Sequence, residues 1–147
     1  MSNESPDLLL NDAELSTLLQ GSKSIAVIGV SAKEDRASNH VAKYLIEKTD
    51  LEVYLVNPAL DELWGKKVYH SLADLVAEVG KTIDIVDAFR KSEDIPEVMD
   101  GAIAAGAKVL WMQLGIRNSD EAERGRSYGL EVIQNRCIKI EFQRLGI

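Results

Sequence analysis

The sequence predicts one α/β domain, a doubly wound parallel sheet with helices on both faces, and three observations predict it. Short apolar runs alternate with segments whose apolar residues recur at helical spacing. The run Ile25-Ala26-Val27-Ile28-Gly29-Val30 is continuously apolar, as a strand covered on both faces requires. No repeat, linker or low-complexity block divides the 147 residues, and only Pro6, Pro58 and Pro96 punctuate them. Strands joined by helices of this length pair in parallel through right-handed crossovers, which gives a Rossmann-like sheet.

The elements follow in order. Residues 1–7 are polar, and a frayed segment is expected over 1–10, leaving 11–147 as the domain. Asn11 or Asp12 can cap a short helix that turns Leu15, Leu18 and Leu19 inward. After the strand at 25–30 and a polar loop, Ser38 or Asn39 opens a helix with Val41, Ala42, Leu45 and Ile46 on its apolar face. Residues 51–56 form a second strand, ending at Asn57-Pro58, and Val68-Tyr69 can add a short one before a helix marked by Leu72, Leu75, Val76 and Val79. The strand at 83–89 is interrupted by Asp84 and Asp87, and Asp87 is expected to hydrogen-bond locally. A helix carrying Ile95, Val98, Met99, Ala102 and Ile103 ends at Gly106, and a strand covers 108–113. Asn118 or Ser119 caps a helix that Gly129 stops, and residues 130–134 are the last strand. In the tail, Ile138, Ile140 and Phe142 alternate as in a strand, while Ile138, Phe142 and Leu145 fit a helix; the helix is preferred.

Composition bounds the function. Asp plus Glu outnumber Lys plus Arg by 24 to 17, a net charge of -7, with 46% apolar residues. A chain of this length buries roughly 70% of its unfolded surface and needs no metal or disulfide staple. An acidic chain lacks the positive field that duplex binding demands, so no nucleic-acid partner is expected. No apolar run approaches the roughly 18 residues of a membrane span, so no membrane partner is expected either. Cys137 is the only cysteine, which forbids an intrachain disulfide and suits a cytoplasmic location. One cysteine and two separated histidines give no zinc-ligand spacing, so no metal site is expected. His40 and His70 have no sequence-local acid or nucleophile arranged for base chemistry, and no catalytic residue is assigned.

In open parallel sheets, ligands bind beyond the carboxyl ends of the strands, where successive crossovers go to opposite faces. The first such loop, Gly29-Val30-Ser31-Ala32-Lys33-Glu34-Asp35-Arg36-Ala37-Ser38-Asn39, is the most informative. Gly29 lets the backbone approach a ligand, Ser31 and Ala32 leave their amides accessible, and Ser38 or Asn39 opens a helix whose free N–H groups attract an anion. Lys33 and Arg36 place two cations beside that helix start, which points to a phosphate site. A P-loop pattern is absent, and so is the three-glycine dinucleotide fingerprint. The second strand also ends in Val56-Asn57-Pro58, without the acid that holds a ribose, so an NAD-binding regulatory domain is the weaker alternative.

These loops give the chain its resemblance to the small stand-alone CoA-binding proteins, related in fold to the CoA-binding domain of the succinyl-CoA synthetase alpha subunit. The resemblance covers about 24–145. It rests on Ile25-Ala26-Val27-Ile28-Gly29-Val30-Ser31, Val41-Ala42-Lys43-Tyr44-Leu45, Val56-Asn57-Pro58, Asp87-Ala88-Phe89-Arg90, Leu110-Trp111-Met112-Gln113-Leu114-Gly115 and Asn135-Arg136-Cys137-Ile138-Lys139-Ile140-Glu141. It implies coenzyme A or an acyl-CoA as ligand, bound by a non-catalytic or regulatory module, with the protein partner unknown. The ligase relatives use a phosphorylated histidine in a further domain and a partner subunit, and this chain is too short to hold either. Under that resemblance Lys33 and Arg36 face the phosphates, and Lys66 and Lys67 are either extra contacts or, the preferred reading, solvated. Asn57-Pro58 offers a rigid edge and amide groups to adenine; Phe89 packs along pantetheine, and Arg90 reaches a phosphate. Gln113 and Gly115 border the arm, and Trp111 and Met112 belong to the core. Cys137 beside Arg136 is either a buried inert thiol or a reactive one meeting the thiol end of the coenzyme.

Overall fold

The computed structural model describes residues 5–147. Strand β1 (Ser24–Ile28) is buried along its whole length, which is why its residues are apolar without alternation. Ile25 and Val27 join the core on one face of the sheet, and Ala26 and Ile28 the core on the other. The remaining strands are β2 (Glu52–Val56), β3 (Glu62–Leu63), β4 (Lys66–Tyr69), β5 (Ile85–Ala88), β6 (Val109–Met112) and β7 (Glu131–Ile133). Among the described residues these form one seven-stranded sheet in the order β3-β4-β2-β1-β5-β6-β7. All neighbours pair in parallel except β3 with β4.

Parallel neighbours need crossovers, and the helices supply them. Helices α1 (Asp12–Gly21), α2 (Ala37–Lys48) and α6 (Ile138–Leu145) bury Leu15, Leu19, Val41, Leu45, Ile138 and Phe142 against one face. Helices α3 (Leu72–Val79), α4 (Ile95–Ala104) and α5 (Ser119–Ser127) bury Leu75, Ile95, Met99 and Ala122 against the other. The chain leaves β1 through α2 to reach β2 on one side, then crosses back through α3 to β5 on the other side of β1. The winding direction therefore reverses between β1 and β5, and the loops after those two strands diverge to leave a crevice.

The predicted doubly wound α/β architecture is the one observed. Most strands are shorter than the expected runs: Gly29 and Val30 after β1, Phe89 after β5, Gln113 after β6 and Gln134 after β7 enter the loops, while β2 ends at Val56 as expected. The tail is helical. Asn11 caps α1 through a capping box, accepting from the Glu14 N–H at 2.8 Å while Glu14 accepts from the Asn11 N–H at 3.0 Å. The hairpin β3–β4 adds the edge strand β3 that periodicity does not show. Its two-residue turn, Trp64-Gly65, has both residues at positive φ, 56° and 75°, and tryptophan carries no signal for that backbone region.

One expectation needs correction. Helix α2 starts at Ala37, ahead of Ser38 and Asn39, because both side chains are buried and turn back to the loop and neither acts as the cap. The segment expected to fray over 1–10 makes hydrogen bonds to the rest of the domain from Ser5 onward. The Ser5 N–H donates to Ser119 Oγ at 3.0 Å, the Gln134 N–H donates to the Asp7 carbonyl at 2.8 Å, and Arg117 makes a two-pronged pair with Asp7 at 3.0 and 2.8 Å. The first four residues of that expected segment lie outside the described residues. Among the described residues, no helix is long and apolar enough to cross a membrane, and no group of three or more His, Cys, Asp or Glu side chains could hold a metal ion.

Candidate functional site

The β1–α2 loop is shaped by side chains that point inward. The last carbonyl of β2, on Val56, accepts from the N–H groups of both Gly29 (2.9 Å) and Val30 (3.3 Å). Ser38 Oγ accepts from the Ser31 N–H at 3.0 Å, and Asn39 Nδ2 donates to the Ser31 carbonyl at 2.9 Å. Ser31 Oγ accepts from the Lys33 N–H, and His40 Nε2 is hydrogen-bonded to the Glu34 carbonyl. Two consequences follow. The loop is rigid without any ligand, and Lys33 and Arg36 are left exposed at its rim, outside every ion pair among the described residues. The N-terminus of α2 carries no side-chain cap, whereas α1, α3 and α5 are capped by Asn11, Ser71 and Asn118. The Asn39 and His40 N–H groups donate to the Arg36 carbonyl, which leaves those of Ala37 and Ser38 open to an anion.

Three clefts meet over the switch point. One, of about 430 Å³, runs over the ends of β1, β2 and β4 and is bordered by Gly29, Val56, Pro58, His70, Ser71 and Val98. The second, of about 350 Å³, lies at the loop itself, with Gly29, Ser31, Lys33, Arg36, Ser38 and Phe89. The third, of about 460 Å³, is bordered by Phe89, Gln113, Leu114, Gly115, Cys137 and Ile140. The first two share Gly29, the first and third share Arg90, and the second and third share Ala37 and Phe89. They form one groove across the carboxyl edge of the sheet, with a cationic middle. Charges differ along it: Asp94 and Glu97 line the first cleft, and among the described residues no carboxylate lines the second or third. Arg90 sits at the junction, its Nη2 at 3.3 Å from Asp94.

Gly29, Ser31, Lys33, Arg36, Ser38, Val56, Pro58, Phe89, Arg90, Gln113, Gly115 and Cys137 all line this groove. Others do not. Val30 is fully buried in the core. Asn57 was expected to offer its amide to adenine, but Nδ2 donates to the Val30 carbonyl at 2.7 Å and Oδ1 accepts from the Ala59 N–H at 2.7 Å, so the side chain braces the loop. Asn39 is likewise internal, and Arg136 lies by Glu141 at 3.6 Å while its carbonyl accepts from Trp111 Nε1 and Gln113 Nε2. Ala32 is exposed beside the second cleft but does not border it. Lys66 and Lys67 belong to the edge hairpin. There Lys67 and the Tyr69 hydroxyl both donate to Glu78 and hold its carboxyl below the usual range.

Sequence reasoning missed the wall made by His70, Ser71, Ala73, Glu97, Val98 and Gly101. One signal could have found half of it: β4 pairs in parallel with β2, so His70 and Ser71 stand at another carboxyl end. The α4 half has none, since its residues reach the cleft only through the packing of α3 on α4. His70 Nε2 is 2.7 Å from Asp61 Oδ1.

Asp87 departs from expectation in the opposite sense. It is fully buried, flanked in register by Val27 and Trp111, and neither carboxylate oxygen has a hydrogen-bond partner among the described residues. Burial disfavours the charged form and pushes its carboxyl well above the usual range.

A doubly wound sheet with this groove over its switch point belongs to the Rossmann-like class, whose members take ligands at that place. The family model described as "CoA binding domain" matches residues 23–143, and the chain belongs to that family. It is similar to an uncharacterized protein of Bacillus subtilis (strain 168), YneT, at 38% identity over 128 residues, 87% of this chain and 91% of that one. It is similar in structure to a hypothetical protein from Pyrococcus horikoshii OT3, at 36% identity and a TM-score of 0.85 over the whole of both chains. A third likeness is to a dinucleotide-forming acetyl-coenzyme A synthetase of Ca. Korarchaeum cryptofilum, at 28% identity and a TM-score of 0.66. It covers 80% of this chain and 26% of the synthetase.

Proposed function

We propose that the protein binds coenzyme A or an acyl-CoA as a non-catalytic binding or regulatory module. The observation that carries this reading is the row of three adjoining clefts: Lys33 and Arg36 stand at the middle one, a mixed apolar and acidic cleft lies on one side, and a carboxylate-free cleft with Leu114 and Ile140 on the other. The coenzyme has the same order of chemistry: a flat base, a set of phosphates and a long, weakly polar arm. Lys33, Arg36 and the open amides of α2 receive the phosphates, where each charge-assisted contact contributes about 1.5–3 kcal/mol and offsets the repulsion of an acidic chain. The base enters the cleft bordered by Pro58 and Val98. Asp94 and Glu97 can accept from an exocyclic amine there and would repel a phosphate. The arm passes Phe89 toward Gln113, Gly115 and Cys137.

No acid, base and nucleophile converge along the groove. His70 has a carboxylate partner but stands at the base end, remote in the groove from the thiol end. A second reading has one observation behind it. Cys137 lines the third cleft, so its thiol could attack the carbonyl of a bound thioester, releasing the coenzyme as the thiol and leaving an acyl group on Cys137. Mass spectrometry of the small molecule that co-purifies with the native protein tests the main reading, followed by titration calorimetry with coenzyme A. A co-purifying nicotinamide dinucleotide, or no heat with coenzyme A, would overturn it.

A further inference from the structure

We propose that the outer part of the third cleft receives an apolar acyl chain, so that the preferred ligand is a medium-chain acyl thioester in place of the free coenzyme; this rests on the coenzyme reading above. Large apolar side chains are exposed at five places among the described residues, Leu9, Trp64, Leu114, Tyr128 and Ile140. Two of the five, Leu114 at 67% and Ile140 at 52% exposure, border this one cleft.

Neither has a structural reason to be apolar. Ile140 stands between Ile138 and Phe142, which carry the burial of α6. Leu114 sits on a loop braced from both sides, with the Gly115 N–H donating to Asn135 Oδ1 at 2.7 Å, the Ile116 N–H to the Gln113 carbonyl at 2.9 Å, and the Asn135 N–H to the Ile116 carbonyl at 3.0 Å. Its side chain is thus presented to solvent by a rigid frame.

Exposure also gives the cleft a direction. Gln113, 3% exposed, lies at the inner end, Cys137 is half-buried, and Leu114 and Ile140 form the rim. The cleft joins the phosphate-binding cleft through Ala37 and Phe89, so an arm anchored at Lys33 and Arg36 enters from the inner side. The pantetheine amides find polar partners near Gln113. Past the thiol the cleft offers the apolar side chains of Leu114, Ile116 and Ile140, with Lys91 and Ser92 beside Arg90 on its other border, and no carboxylate lines it among the described residues. A free thiol leaves the rim wet, whereas a chain of four to eight carbons covers it. Burial of each methylene strengthens binding roughly fourfold.

The test is titration calorimetry of the full chain with coenzyme A and its acetyl, butyryl, hexanoyl and octanoyl thioesters, repeated on Leu114→Asp and Ile140→Asp. Both positions are exposed, and circular dichroism checks that each variant folds. The expected result is affinity rising stepwise with chain length in the native protein, and an octanoyl-to-free ratio falling severalfold or more in each variant. Coenzyme A binding that is indifferent to chain length would overturn the inference and leave the coenzyme reading standing. Absence of binding by every one of these ligands would overturn both. Self-association in the ultracentrifuge that disappears in Ile140→Asp would assign the rim to a second copy of the chain and also overturn the acyl assignment.

Discussion

The carbonyl oxygen of Phe89 lies 2.7 Å from the point where a β-carbon on Gly29 would stand. The Phe89 N–H donates to the Ile28 carbonyl at 2.9 Å, so the loops after β1 and β5 start from one tightly shared point before they diverge. Gly29 also has φ +88°, a backbone region that side chains disfavour. The crevice floor is therefore as low as it is because residue 29 has no side chain.

Gly29→Ala is expected to lose about 1–3 kcal/mol from the backbone alone, and more from the contact with Phe89. Gly115 supplies the control, since it has φ +86° but nothing within 4 Å of an added β-carbon. Urea unfolding should show Gly29→Ala clearly less stable than Gly115→Ala. Equal losses would mean that the Phe89 carbonyl moves aside at no cost.

Lys33→Ala and Arg36→Ala are each expected to weaken coenzyme A binding roughly ten- to hundredfold, with unfolding midpoints little changed. Both side chains are exposed and make no ion pair among the described residues, so their removal leaves no described group buried without a partner. Calorimetry giving native affinity in both variants would move the phosphates elsewhere.

Asp87→Asn tests the buried acid. Below the usual carboxylate range the group is protonated in both the folded and unfolded chain and has no effect on pH dependence. As pH rises through that range, the unfolded chain ionises while the folded one keeps its proton, because burial has raised the folded value. Stability is lost progressively until the raised value is passed. The amide cannot ionise, so the variant should come closest to the native protein at the acid end of that range and exceed it in stability at pH 8. Denaturant unfolding across that range checks both ends, and a native protein no less stable than the variant at pH 8 would place a cation against Asp87.

Cys137→Ser separates the two functional readings. Binding of coenzyme A should survive it, since the arm is held by the groove and not by the thiol. Intact mass after incubation with an acyl-CoA should show no adduct on the native protein. An added acyl mass that the serine variant lacks would establish the reactive thiol instead.

A side-by-side thermal shift with NAD, NADP, coenzyme A and acetyl-CoA checks the ligand class. The larger rise in Tm is expected with the two coenzyme A species, because ligand at free concentration L that binds only the folded state stabilises it by RT ln(1 + L/Kd), which is larger for the tighter ligand at equal concentration.

The alternation of apolar runs with helical periods was sufficient for the architecture. Each strand of the parallel sheet is buried on both faces, and each helix must hide one stripe, so the pattern is local and legible. The same locality made the β1–α2 loop readable: Gly29, Lys33 and Arg36 lie within eight consecutive residues. What tertiary structure decided is which of the polar residues there face outward. Ser38 and Asn39 carry the residue types of a helix cap but bind the Ser31 backbone, and Asn57 reaches 27 positions back to the Val30 carbonyl. The wall formed by His70 and α4, and the isolation of Asp87 between Val27 and Trp111, likewise arise from neighbours distant in sequence. Hydrogen-bond partners and charge environments are set by which strand lies beside which, and that order depends on crossovers whose packing no short stretch of sequence encodes.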